Sequence, residues 1–393
     1  MKNTILFLWA LLMAHPVWAA VEVLGTTYSD PAHVAQVFEE CLADLGPQSP
    51  RALAACLKNT QLFTTVQVRP QASGWRVEVR DRWSLLPIPV VVATEGQGTR
   101  MGGFVAERNF LGHGVLLLGG GIVGPESSTY LGLLEDPHFL SAQGYLRFSL
   151  RSDRRLVSLR AAEDEVLDRR DEDRLRLDLR LGRNLGPDLR AALSVSAQRL
   201  RFHDLQGGSR PEDLDPLWVG GLLLWDPTTY HFYFDEGFKG ELEYQSETRS
   251  QNGVTRLDLG WQGAIWRDQA LQLRLQADRL NRDDPRLAIQ GGGALGARGV
   301  PWMGLWSGRY LTASIDYQMP IVYSSLGIAT VAPFVDVGWI DLSGKNRQVT
   351  YQAWGLGGYF YLKEVSLPGL GILWGRNQPY ADVFAKITLG FDL

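Results

Sequence analysis

Apolar and polar residues alternate along much of this chain. Between Leu311 and Met319, the residues Leu311, Ala313, Ile315, Tyr317 and Met319 fall on one side. Thr312, Ser314, Asp316 and Gln318 fall on the other. From Phe334 to Trp339, Val335, Val337 and Trp339 take the apolar side and Asp336 the opposite one. The segment from Arg174 to Leu181 reads arginine or aspartate at every even position and leucine at every odd one. Period two with one wholly apolar face and one charged face predicts strands of a membrane barrel, with lipid outside and a wet lumen inside. Leu189 to Leu200, Thr255 to Trp261 and Ala270 to Asp278 follow the same rule less strictly. The final segment places Val383, Ala385, Ile387, Leu389, Phe391 and Leu393 outward, with Lys386, Thr388 and Asp392 inward.

The first residues carry a different pattern. Lys2, an apolar run from Ile5 to Ala14 and small residues up to Ala20 read as a secretory signal peptide cleaved after Ala19, hence residues 1–19. The run is too short for a membrane-crossing helix, which needs about 20 apolar residues. Residues 20–85 then predict a small α/β domain. Val21–Leu24 is a short strand, and Asp30-Pro31 is an N-cap followed by proline at the first helical position. Val34, Val37, Phe38, Cys41, Leu42 and Leu45 recur at helical spacing. A second helix after Ser49-Pro50 presents Leu53, Cys56 and Leu57, and strands follow at Phe63–Val68 and Trp75–Val79. Pro87 and Pro89 read as a stiff link into residues 86–393. Those residues allow about 19 per strand and loop for sixteen strands, and a spanning strand needs only about 9–11.

Composition narrows the chemistry. The chain has 43 glycines, 13 tryptophans and two cysteines, and a net charge of −4 that marks no nucleic-acid partner. An exported context favours a disulfide between Cys41 and Cys56 over two buried thiols on facing helices. Six scattered histidines, none beside a cysteine, give no metal site. No Gly-x-Ser-x-Gly elbow is present, and Gly119–Gly121 has no helix after it to hold a phosphate, so no enzyme and no cofactor is expected. The charged stretch Glu163–Arg176 reads as a solvated hairpin.

Several motifs occur in a telling order. Asn59 to Val66 contains Leu62-Phe63-Thr64-Thr65-Val66, Asn109 leads into Gly112 and Gly114, and the loop Ala297-Arg298-Gly299-Val300 precedes Phe334-Val335-Asp336-Val337-Gly338. In these residues the chain resembles the outer-membrane insertase superfamily. That superfamily includes the Bam and Tam assembly barrels, two-partner secretion transporters and bacterial surface antigens. The resemblance implies a mainly β chain: a sixteen-stranded antiparallel transmembrane barrel with one N-terminal POTRA-like domain. It implies that Arg298, on a loop between the eleventh and twelfth strands, folds into the lumen onto Asp336. Asp316 faces the same lumen and is a second candidate acceptor. Gly299 belongs to the loop tip, and Gly291, Gly292, Gly293 and Gly296 suit a chain that turns back tightly. Asn109 to Gly114 resembles the turn between the first two strands.

The implied place is the outer membrane of a Gram-negative bacterium, with the N-terminal domain in the periplasm. The implied function is insertion, assembly or translocation of proteins there. Its partners would be outer-membrane lipid, client polypeptide strands and a periplasmic or lipoprotein accessory. Gly96, Gly98, Gly102 and Gly103 are expected on the seam that closes the barrel against Val383–Phe391, opposite Thr388 and Phe391. They either weaken that seam for an incoming strand or only permit curvature. The alternative function is a structural barrel or passive channel that keeps the fold without insertase activity.

Overall fold

A computed structural model describes residues 20–389 apart from 48, 95–97, 142, 163–164, 187, 204–209, 232, 251, 267, 292–297, 301–304 and 363–367. Residues 1–19 and Phe391 therefore lie outside the described residues, as do Gly96, Gly292, Gly293, Gly296 and Ala297. The chain forms two compact units, one ending at Arg82 and including the turn Leu111–Gly114, the other comprising Trp83–Phe110 and Val115–Leu393.

In the first unit, β1 (Ala20–Leu24) is followed by helices Pro31–Leu45 and Pro50–Asn59, then β2 (Phe63–Gln71) and β3 (Gly74–Asp81). The sheet order is β1-β3-β2, with β1 parallel and β2 antiparallel to β3. Asp30 caps the first helix by accepting from the Ala32 N–H, and Ser49 caps the second through Ala52. Their apolar faces meet the sheet in one core around Phe38, Leu53, Leu57, Phe63 and Val77. Cys41 and Cys56 are disulfide-bonded across the two helices, with Cα atoms 6.0 Å apart.

Asp81 organises the loop after β1. One carboxylate oxygen accepts the backbone N–H groups of Thr27, Tyr28 and Ser29, and the other takes the Ser29 hydroxyl at 2.8 Å. Partial burial pushes its pKa up, but those four donors outweigh burial and hold it below the ordinary carboxylate value. A depressed folded pKa contributes stability that is complete above the unfolded value of about 3.9 and is lost as pH falls through the folded one. Asp81→Asn is expected to cost this unit on the order of 1–2 kcal/mol at neutral pH and to flatten its acid sensitivity. Hydrogen exchange of residues 25–81 in the full chain at pH 7 and pH 3 tests this; equal loss of protection at low pH in both proteins would refute it.

The second unit is a closed barrel. Its strands are β4 (Leu85–Thr94), β5 (Gly98–Phe110), β6 (Val115–Val123), β7 (Ser127–Asp136), β8 (Gly144–Arg160), β9 (Val166–Asn184), β10 (Leu189–His203) and β11 (Leu217–Trp225). After the two-residue β12 (Thr229–Tyr230) come β13 (Asp235–Glu247), β14 (Gly253–Trp266) and β15 (Gln269–Leu280). After the three-residue β16 (Ile289–Gly291) come β17 (Leu305–Tyr323), β18 (Gly327–Leu342), β19 (Arg347–Leu362), β20 (Pro368–Gln378) and β21 (Ala381–Leu389). β11 pairs directly with β13 and β15 with β17, so β12 and β16 are accessory and sixteen strands make the wall. All wall pairs with a described register are antiparallel, and each alternates faces as the sequence predicts. Val335, Val337, Ile315 and Leu311 are exposed on the outside, while Asp336 and Thr312 are buried inside.

Three expectations differ from the fold. Pro87 and Pro89 do not form a link; they lie in β4, the first wall strand. The Asn109–Gly114 segment accordingly joins the second and third wall strands, not the first two. Gly102 and Gly103 are not on the closing seam either. They sit in β5, opposite Val90 and Pro89 on one side and Ile122 and Gly121 on the other. For Gly102 the reason is close approach, since a Cβ there would lie 2.0 Å from the Gly121 carbonyl oxygen, whereas a Cβ on Gly103 would meet only ordinary contacts.

Candidate functional site: a loop arginine in the lumen and a short seam

Arg298 belongs to the connection between β15 and β17, the eleventh and twelfth wall strands. Period two brings Asp316 of β17 and Asp336 of β18 to the inner face, close enough for one guanidinium to reach both. Arg298 Nε donates to Asp336 Oδ2 at 2.7 Å, and Nη2 donates to its other oxygen. Nη1 and Nη2 donate to Asp316 Oδ1 and Oδ2 at 2.6 and 3.1 Å. Each carboxylate is thus gripped in a fork, the geometry in which arginine binds carboxylates most strongly. The Phe334 ring lies beneath, 3.8 Å from the guanidinium carbon, adding a cation–π contact. Asp336 is fully buried.

The loop tip is held on its other flank. Asn377 Nδ2 of β20 donates to the Arg298 carbonyl. Gly299 has φ +80°, and a Cβ there would come within 2.5 Å of the Phe384 ring. Glycine is therefore required both by backbone conformation and by space. Val300 is buried in an apolar cluster with Leu159, Leu305, Trp306, Ile340 and Tyr351. The structure thus brings Arg298, Asp336 and Asp316 together and seats Gly299 beside them. The sequence reading missed Asn377 and Phe384; Phe334 was visible only as part of the receiving strand's motif.

The barrel closes between β21 and β4. Only four residue pairs form the described seam: Lys386 with Thr94, Ile387 with Ala93, Thr388 with Val92, and Leu389 with Val91. The ladder from β4 to β5 runs unbroken through Pro87 and Pro89. Successive backbone N–H groups point to opposite edges of a strand, so both prolines turn their missing donor toward β21. Proline at such an edge blocks further pairing. Thr388 is on the seam as expected, facing Val92 instead of a glycine.

No family model and no curated protein sequence matches the chain. Among solved structures, BamA from Haemophilus ducreyi lacking POTRA domains 1–3 superposes with a TM-score of 0.60 at 11% identity, over 94% of this chain and 84% of that one. CdiB from Acinetobacter baumannii gives 0.60 at 13% identity over 95% and 74% of the two chains. CdiB from Escherichia coli gives 0.59 at 12% over 95% and 76%. The fold is that of BamA and CdiB. The BamA-like and CdiB-like barrel therefore arises here from a sequence that shares only about one residue in eight with either.

The charged stretch expected to be a solvated hairpin is part of the β8–β9 hairpin but is not solvated throughout. In β9, Glu172 is buried against Arg155, whose Nε donates to it at 2.8 Å. Strand alternation continues past the length a bilayer needs. β9 has 19 residues, roughly 60 Å at about 3.3 Å per residue. Its far end, Val166–Arg170, pairs with β8 alone, so the hairpin tip extends beyond the neighbouring strands β7 and β10.

Proposed function

We propose that this protein is an outer-membrane barrel that inserts, assembles or translocates polypeptide, adding client strands at the seam between β21 and β4. The first unit acts as its POTRA-like periplasmic module; its strand-helix-helix-strand-strand order supports that reading. The edge of β4 that faces β21, with prolines at 87 and 89, carries the proposal. An edge that lacks donors at Pro87 and Pro89 offers its neighbour fewer hydrogen bonds than a proline-free strand would, and opening it frees two strand edges for augmentation. The fold shared with BamA and CdiB supports the same reading, as does the resemblance in the Arg298 loop and the Asp336 strand. The implied partners are outer-membrane lipid, client strands and a periplasmic or lipoprotein accessory.

The test is a disulfide across the seam. Val92→Cys with Thr388→Cys joins residues directly opposite each other. In cells or in a reconstituted insertion assay, the locked barrel is expected to lose at least tenfold in activity and to regain it with a reductant too mild to disturb Cys41–Cys56. Full activity with the cross-link formed would move the assignment to a structural barrel or passive channel.

A further inference from the structure

Inside the barrel, the wall strands β8 to β17 and residues 286–289 line a cavity of about 370 Å³. Its lining is strongly ionic, and arginines outnumber carboxylates there six to four. Most of these arginines are matched. Arg151 Nε donates to Asp153 at 2.8 Å, Arg176 Nε to Asp178 at 2.8 Å, and Arg256 Nη1 to Glu243 at 3.1 Å. Arg155 takes Glu172 at 2.7 Å. Arg174 has to share that same carboxylate, and its Nη2 approaches only to 3.6 Å. Three arginines, Arg151, Arg155 and Arg174, thus surround two carboxylates, Asp153 and Glu172.

Four buried polar atoms on this cavity make no hydrogen bond among the described residues: Nη2 of Arg155, which only ion-pairs with Glu172, Nε of Arg174, Nε1 of Trp218 and one acceptor, Oε1 of Gln276. Trp218 is 4% exposed. An unpaired buried donor is costly, and two on one cavity with an excess cation beside them call for an acceptor that carries negative charge.

We infer that this cavity binds the oxyanion of a small phosphorylated molecule. A phosphate group offers several strong acceptors with the charge to match the unshared half of Arg174. It would take the Arg174 Nε and Trp218 Nε1 protons, and the remaining volume, within the usual range for small-ligand sites, would hold the rest of the molecule. The inference does not depend on the seam or on any insertase activity.

The experiment is calorimetric titration of the full chain, folded in detergent, with glucose 6-phosphate and with inorganic phosphate, against sodium chloride at equal ionic strength. Saturable one-to-one binding of glucose 6-phosphate is expected, with Kd on the order of 0.1 mM and weaker binding of inorganic phosphate. Trp218→Phe removes the donor at nearly constant shape, and Arg174→Lys keeps the cation while removing Nε. Each is expected to weaken binding roughly tenfold, the effect of one lost charge-assisted hydrogen bond, with heat-modifiable gel mobility unchanged. No saturable heat beyond that of chloride would overturn the inference, as would equal affinity in wild type and both variants. Equal affinity for the two probes would remove the larger molecule and leave only the bare ion.

Discussion

Arg298→Ala is expected to unseat the loop between β15 and β17 while leaving the barrel closed. The substitution strands Asp336, which is wholly buried, beside Asp316 with no cation between them. Breaking a buried ion pair by removing one partner costs about 3–5 kcal/mol, because the remaining charge stays desolvated. Here two carboxylates are left, so the upper part of that range applies. The wall is held by its own ladders, and the cost falls on the loop, whose tip is otherwise held, among the described residues, by Asn377, Phe384 and the Val300 contacts. Protease sensitivity of residues 281–304 should rise, and heat-modifiable gel mobility should fall, with membrane insertion retained. Arg298→Lys should recover only a minor part, since an ammonium cannot fork onto two carboxylates. Asp336→Asn should cost more than Asp316→Asn, because Asp316 keeps an 18% exposed side chain that water can still reach. In a double-mutant cycle, Arg298→Ala with Asp336→Asn should be milder than the sum of the two by at least about 1 kcal/mol. Strict additivity would show that the contact carries no coupling.

Much of this site could be read from the sequence, for a definite reason. Period two is a local property, and it alone puts Asp316 and Asp336 on one face of two strands. The same holds for the caps at Asp30 and Ser49. What could not be read depends on partners distant in sequence. Pro87 and Pro89 look like a link because proline weakens a strand; only the pairing shows that their missing donors face the seam, where they are tolerated. Gly102 and Gly103 look like seam residues because glycine weakens pairing. Both lie one strand further in, and Gly102 is needed for its close contact with Gly121 and Ile122 of the next strand. Glu163–Arg176 looks solvated because it is charged. Whether Glu172 is wet depends on Arg155 lying across from it, 17 residues away.

At the end of the barrel that carries the Arg298 loop, the described residues place a hairpin tip against the opposite wall, and this is expected to limit what the protein conducts. The tip of the β8–β9 hairpin reaches strands β17 to β19, at least five wall strands away in either register. Arg170 Nη1 donates to the Pro285 carbonyl at 2.7 Å, and its guanidinium lies 4.1 Å above the Trp306 ring. Arg347 forks onto Glu165 at 2.6 and 3.0 Å, and Leu159 and Ala161 pack with Trp306, Ile340 and Val349. These contacts are unequal. Arg347 and Glu165 are each 45% exposed, and exposed pairs are worth about 0–1 kcal/mol. Trp306 is 1% exposed, and truncating a buried tryptophan to alanine costs about 3–5 kcal/mol. Trp306→Ala also removes the surface on which Arg170 rests. In planar bilayers the native barrel is therefore expected to pass little current, Arg347→Ala to change it by less than about twofold, and Trp306→Ala to open the mouth often enough to raise mean conductance severalfold. Equal effects of the two substitutions would place the closure in the ion pair. No change with Trp306→Ala would mean that the apolar cluster does not close the barrel.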